Sequence, residues 1–107
     1  MATITQDSTI VTLINVFTVT PDNQQRLVNV LVEATEATMN KLPGFISANI
    51  HKSLDGTRVT NYAQWASKEA FEAMQHNPEV RSHMQAAMQL ATFDAHLYEV
   101  VFTDSMR

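Results

Sequence analysis

Cysteine is absent from the 107-residue sequence, which excludes a disulfide scaffold, a thiolate metal site, an iron–sulfur cluster and a cysteine nucleophile. Glycine occurs twice and proline three times. Two isolated glycines, Gly44 and Gly56, cannot build the glycine-rich loop that cradles a nucleotide phosphate, so Rossmann and P-loop chemistry drop out. Basic residues are few, 7 against 11 acidic ones for a net charge of -4, and they form no cluster. A nucleic-acid partner is therefore not expected. No apolar run approaches the roughly 20 residues of a membrane-spanning helix. The stretch Met1 to Asp7 also lacks the basic-then-apolar order of a secretory signal. Together these absences predict a cytoplasmic protein with no membrane partner.

What remains is a globular composition, 45% hydrophobic and 17% charged, of a size that folds as one domain. Residues 10–20 are rich in β-branched side chains and read as a strand. Thr20-Pro21-Asp22 then offers an N-cap, a first-turn proline and an acid at the positive helix end. In the helix that follows, Arg26, Asn29, Glu33, Glu36 and Asn40 mark a polar face, and Leu27, Leu31, Ala34 and Thr38 the core stripe. Lys41-Leu42-Pro43-Gly44 ends it. A second strand runs from Phe45 to Ser53, Asp55-Gly56 makes a hairpin turn, and Thr57 to Trp65 returns as the third strand. Ser67 caps a second helical region with Phe71 and Met74. Asn77-Pro78-Glu79 interrupts and restarts that region, whose apolar face continues through Val80, Met84, Ala87, Met88 and Ala91. Phe93 to Phe102 alternates as a last strand.

The order is β-α-β-β-α-β, a ferredoxin-like α+β fold with one four-stranded antiparallel sheet, the first and third strands central and both helices on one face. The expected domain spans residues 10–102, between a flexible N-terminus (1–9) and a C-terminal tail (103–107). Side chains alternate across a sheet. Val11, Leu13, Asn15, Phe17 and Val19 share the helix-covered face with Thr57, Val59, Asn61, Ala63 and Trp65. The opposite face then presents Ile10, Ile14, Val16, Tyr62, Tyr98, Val100 and Phe102, an apolar patch that a symmetric homodimer would bury.

Asn15 and Asn61 are the unexpected residues, because asparagine is depleted in strands and both point toward the helices. Trp65, four residues after Asn61, lies on the same face. Two amides and an indole N–H in apolar surroundings suit a planar, oxygen-bearing ligand. They could equally be satisfied by backbone at a bulge, with the tryptophan as plain core. Leu13 and Phe17 from the first strand, with Phe71 and Met74 from the second helix, are the expected pocket walls. The histidines are less suggestive. Glu72, His76 and His83 resemble a metal set, but Pro78 disturbs their phase, so no metal site is expected. His96 with Asp94 and Tyr98 fits a dimer face, and no nucleophile–histidine–acid constellation is present. The third strand has one basic residue, Arg58, and one aromatic, Tyr62, but no glycine, so it departs from an RNA-recognition strand.

Thr20-Pro21 at the helix start, the Leu42-Pro43-Gly44-Phe45 turn, Asn61-x-x-x-Trp65 and the segment Trp65 to Phe71 resemble the antibiotic biosynthesis monooxygenase family over residues 10–102. The resemblance implies a dimeric α+β barrel. For the anthrone-oxidising members it also implies a cofactor-independent monooxygenase that uses O2 to turn a small phenolic polycycle into a quinone. Asn15, Asn61 and Trp65 match the residues that carry the chemistry in those members. A tyrosine proton donor found in some of them is replaced by Phe71. Two other functions fit the same frame. Haem-degrading members would need an axial histidine, for which His76 is the candidate, with haem as cofactor. A non-catalytic dimeric small-molecule binder would use the same pocket without turnover.

Overall fold

The β-branched run predicted as the first strand forms β1, Val11–Val19. It lies at the centre of a four-stranded antiparallel sheet with β2 (Phe45–Lys52), β3 (Arg58–Trp65) and β4 (Ala91–Tyr98), in the order β2-β3-β1-β4. Three helices complete the chain: α1 (Gln24–Ala37), α2 (Lys68–Gln75) and α3 (Pro78–Met88). This computed structural model describes residues 2–106; Met1 and Arg107, the extreme ends of the two expected tails, lie outside the described residues.

The ends of α1 depart from the sequence reading. Pro21–Asn23 forms a 3-10 turn, and its closing bond runs from the Asn23 amide to the Thr20 carbonyl (2.9 Å), while the Thr20 side chain makes no capping bond. The fixed φ of Pro21 favours this tight turn, so the α-helix begins three residues later. It stops at Ala37, before the expected Lys41 end, because Thr38 leaves helical geometry at φ -133 and Met39–Lys41 tightens into a second 3-10 turn. The buried Thr38 hydroxyl donates to Glu79 Oε2 (3.1 Å) and lies 3.3 Å from His83 Nε2, joining the end of α1 to α3. Within α1 the polar and core stripes hold, with Leu27, Leu31 and Ala34 buried, while Thr38 of the core stripe and Asn40 of the polar face fall beyond its end. Gly44 then turns the chain into β2 at φ +84, and an added Cβ would collide with Ala70 of α2.

Hairpin and caps follow the sequence closely. Asp55 Oδ1 accepts from Ser53 Oγ (2.7 Å), Thr57 N (3.0 Å) and Thr57 Oγ1 (2.7 Å) in the β2–β3 turn. Ser67 Oγ accepts from the Ala70 amide (3.0 Å) to start α2. Asn77 Oδ1 accepts from the amides of Glu79 (2.9 Å) and Val80 (3.2 Å) to start α3. The second helical region is thus two helices, each with its own cap. Because α3 ends at Met88, Ala91 is the first residue of β4 rather than part of the helix face, and Met88 is 58% exposed. β4 also ends sooner than predicted, so Val100 and Phe102 lie beyond the sheet.

The strand register settles which side chains share a face. On the side without helices, one rung reads Ser47, Gln64, Thr12 and Tyr98. The next reads Asn49, Tyr62, Ile14 and His96, and a third His51, Thr60, Val16 and Asp94. This surface is more polar than the apolar patch expected from the sequence, because the alternation brings asparagine, histidine and aspartate from β2 and β4 beside Ile14, Val16 and Tyr62. The N-terminal segment is also more tied than expected. Gln64 Nε2 donates to the Thr3 carbonyl and Gln6 Nε2 to the Val101 carbonyl, both at 2.8 Å. On the helix-covered side the buried side chains form two clusters. Leu13, Trp65, Phe71 and Met74 belong to one, and Phe17, Leu27, Leu31 and Val59 to the other.

Candidate active site

The β1–β3 pairing places Asn15 directly opposite Asn61, with Leu13 opposite Ala63 on the next inward-facing rung and Val11 opposite Trp65 beyond it. Asn61 and Trp65 are therefore about 13 Å apart along one strand, at roughly 3.3 Å per residue. Between them, Ala63 pairs with Ala48 of β2. These two small side chains leave room under the helices, and a cavity of about 310 Å³ occupies it. That lies at the small end of ordinary ligand pockets. Leu13, Phe17, Phe71 and Met74, the four expected wall residues, all line it, together with Asn15, Asn61 and Trp65.

Three polar atoms of the residues lining this cavity are unpaired. Asn15 is 7%, Asn61 9% and Trp65 1% exposed. Asn15 Oδ1, Asn61 Oδ1 and Trp65 Nε1 are buried with no hydrogen-bond partner. The β-bulge lies between Phe45 and Ser47, away from the Asn15–Asn61 pair, and offers it no backbone partner. Trp65 packs edge-on against Phe45, with ring centroids 5.6 Å apart, which orients the indole without satisfying its N–H. Each buried orphan costs on the order of 1–3 kcal/mol. Three of them on one cavity form a set of hydrogen-bonding positions that a ligand can fill.

The remaining wall is apolar or chemically quiet. Thr35 lines the cavity, but its hydroxyl is committed to the Leu31 carbonyl (2.9 Å). Among the described residues, no aspartate, glutamate, histidine, lysine or tyrosine lines the cavity, and Arg81 is the one formally charged side chain that does. Phe71 offers no proton where a tyrosine would.

His76 lies elsewhere. It is the exposed C-cap of α2, with Nδ1 3.4 Å from a terminal nitrogen of Arg81. The haem alternative therefore lacks its axial ligand in this cavity. Glu72, His76 and His83 do not assemble, and among the described residues no group of three or more histidine, aspartate or glutamate side chains could hold a metal. His96 pairs with Asp94 (2.8 Å) on the helix-free face.

Several lining residues escaped the sequence reading: Met39, Phe45, Arg81, Gln85 and Phe93. Arg81 and Gln85 had a usable signal, since they sit four apart on α3, beside Val80 and Met84 on the same turns. Met39 had none, because it lies in the turn that replaced the end of α1.

Residues 10–86 match the family described as antibiotic biosynthesis monooxygenase. The chain belongs to that family. Tetracenomycin-F1 monooxygenase of Streptomyces glaucescens is 46% identical over 83 residues, covering 78% of this chain and 74% of that protein. Among solved structures, the monooxygenase of ActVA-Orf6 from Streptomyces coelicolor, in complex with nanaomycin D, superposes with a TM-score of 0.80 at 26% identity over 94% of each chain. SnoaB, a cofactor-independent oxygenase from Streptomyces nogalater, gives a TM-score of 0.77 at 26% identity, over 88% of this chain and 95% of that one. Family and ferredoxin-like fold thus agree with the resemblance carried by the turn, the Asn61–Trp65 spacing and the segment after it.

Proposed function

We propose that the chain is a cofactor-independent monooxygenase that oxidises a small anthrone-type or phenolic polycycle to a quinone with O2. The observation that carries this reading is the set of three buried, unpartnered polar atoms, Asn15 Oδ1, Asn61 Oδ1 and Trp65 Nε1, in residues that line one mainly apolar cavity. The relatives named above, a tetracenomycin-F1 monooxygenase and a nanaomycin-D-binding monooxygenase, support the reaction class and the polycyclic ligand.

The overall chemistry balances without an added reductant. A methylene flanked by two aromatic rings loses a proton to give a carbanion, delocalised through those rings as an enolate onto the carbonyl oxygen across the central ring. One electron passes to O2, and the resulting radical pair combines to form a carbon–oxygen bond. Cleavage of the O–O bond leaves one oxygen atom as the new ketone, and the other departs as water with the two methylene hydrogens. Every electron that reduces O2 comes from the substrate. The amides of Asn15 and Asn61 can turn either an acceptor to a phenolic O–H or a donor to the enolate oxygen, and Trp65 Nε1 donates. Such preorganised donors, held in a site that excludes water, stabilise the charge that develops. No carboxylate or imidazole lines the cavity to take the proton, so the substrate must itself be acidic, and its proton leaves toward the mouth.

In this proposal the working form is a cytoplasmic homodimer of the 10–102 domain that packs the helix-free sheet faces together. Ile14, Val16, Tyr62 and Tyr98 supply its apolar contacts, and sedimentation equilibrium at micromolar protein tests it. No helix of the described residues is long and apolar enough to cross a membrane.

The decisive experiment is O2 uptake and quinone absorbance with 1,8-dihydroxyanthrone, corrected for the buffer rate, followed by mass analysis under labelled O2. The expected result is one labelled oxygen in the quinone, with Asn61→Ala and Trp65→Phe slowed by about 10- to 1,000-fold. Binding of the probe without uptake above the buffer rate would refute the catalytic reading.

A further inference from the structure

We infer that Arg81 is the anion-recognising residue of this cavity, and that the substrate is bound as an oxyanion with its rings inward and the charged oxygen at Arg81. The inference rests on the reading of the cavity as a polycycle site and adds the charge state and orientation of what enters it.

Arg81 is the lone formal charge on a wall that is otherwise hydrophobic or neutral. The ion pairs among the described residues are Lys68–Glu72 and His96–Asp94, so no carboxylate lies within 4.0 Å of the Arg81 guanidinium. Its position is nevertheless held. Arg81 Nε donates to the carbonyl of Gln75 (3.2 Å), the last residue of α2, and a terminal nitrogen lies 3.4 Å from His76 Nδ1. A cation at the carbonyl end of a helix is favourably placed. A guanidinium carries five N–H donors, and these two contacts leave the others for a ligand.

Position gives the orientation. Among the lining residues Arg81, Met88 and Phe93 are exposed, whereas Phe71, Met74 and Val80 are buried, so the solvent-facing side of the wall carries Arg81. A flat apolar ring system therefore goes inward, and an acidic oxygen stays beside the guanidinium. An unpaired cation bordering an apolar site favours the ionised form of an acid and disfavours a neutral analogue.

Trp65 is the only tryptophan and lines the cavity, so its fluorescence reports occupancy without turnover. We would titrate the full-length protein with anthraquinone-2-carboxylate and the neutral anthraquinone-2-carboxamide, then with 2-hydroxyanthraquinone and its methyl ether. The first pair reports recognition of a carboxylate and the second of a phenolate. In the native protein at least one acidic probe binds about tenfold or more tighter than its neutral partner, as a charge-assisted hydrogen bond provides. In Arg81→Gln the ratio falls to near one, and Arg81→Lys restores part of it. Using the ratio cancels any general loosening of α3, which would weaken both members of a pair alike. An unchanged acid preference in Arg81→Gln, or no preference in the native protein, overturns the assignment while leaving the polycycle site standing. Failure of all four probes to quench Trp65 in the native protein overturns both.

Discussion

Replacing Asn61 by leucine should make the protein more stable and nearly inactive. Asn61 Oδ1 is buried without a partner, and an orphan of this kind costs on the order of 1–3 kcal/mol. Leucine is close to asparagine in shape and adds only apolar surface. It points into a cavity of about 310 Å³, so the added volume meets space rather than a packed wall, and overpacking strain is small. The expected gain is about 1 kcal/mol or more, which for a domain of this size raises the melting temperature by about 4–8 °C. The same change removes a hydrogen-bonding group from the position assigned to the developing oxyanion, which lowers kcat by about 100- to 1,000-fold. Circular-dichroism melts at one fixed protein concentration, so that association does not shift the midpoint, are paired with O2 uptake on 1,8-dihydroxyanthrone. A destabilised Asn61→Leu would mean that the native amide already has its partners, and the central observation would fall. A stable variant that retains activity would instead remove Asn61 from the chemistry. Asn15→Leu should behave alike, and because Asn15 and Asn61 face each other across the strands, the double variant should depart from additivity.

Three further outcomes test how the scaffold holds this site. Gly44→Ala places a Cβ against Ala70 in a residue at φ +84, so urea unfolding should show a loss of at least about 1–2 kcal/mol. Adding Ala70→Gly should recover part of that loss, and no recovery would show that the clash is not the cause. Asn77→Ala removes both capping bonds of α3, costing about 1 kcal/mol. As α3 forms one wall of the cavity, KM should rise more than kcat falls, whereas a pure kcat effect in steady-state kinetics would contradict that route. The Asp55 carboxyl is held at about 2 by the Thr57 hydroxyl, then the Ser53 hydroxyl and the Thr57 amide. Because the folded value lies below the ordinary 3.8, this contribution is complete above about pH 4 and is lost as the pH falls through about 2. The stability gap between the native protein and Asp55→Ala should therefore shrink over that interval in urea titrations, and a gap independent of pH would refute the assignment.

The parts of this protein legible from sequence are those governed by local chemistry. The Asp55-Gly56 turn, the Ser67 cap, the break at Asn77-Pro78-Glu79 and the core stripe of α1 from Leu27 to Ala34 each depend on residues within a few positions of one another, and each formed as read. Where the sequence misled, distant contacts decided. Thr38 ends α1 where its hydroxyl meets α3, donating to Glu79 and lying beside His83. The helix-free face is more polar than expected because its character depends on how four strands register, and β2 and β4 bring Asn49, His51, Asp94 and His96 into rungs with Ile14 and Val16. Asn15, Asn61 and Trp65 were visible because strand alternation alone puts them on one face. That their polar atoms go unpaired is a tertiary property. So is the place of Arg81, whose helix had to dock before its charge met the cavity.

Strand register is also what makes the site reliable. A slip of one residue between β1 and β3 would send either Asn15, or Asn61 and Trp65, to the opposite face and split the set. The same slip would turn out Phe17 or Val59, which face each other on the neighbouring rung and are 1% and 0% exposed. The apolar pair thus holds the register, and the asparagine pair one rung away is oriented by packing it does not supply. This separation lets the cavity keep three unsatisfied polar atoms, since their cost is offset by core residues outside the site. It also narrows the chemistry. With no proton acceptor in the wall, the protein can supply orientation, water exclusion and charge stabilisation, and acidity has to come from the substrate. A substrate that is not acidic enough to ionise should therefore bind among Asn15, Asn61 and Trp65 and remain unreacted, whereas one that ionises readily carries its own driving force to O2.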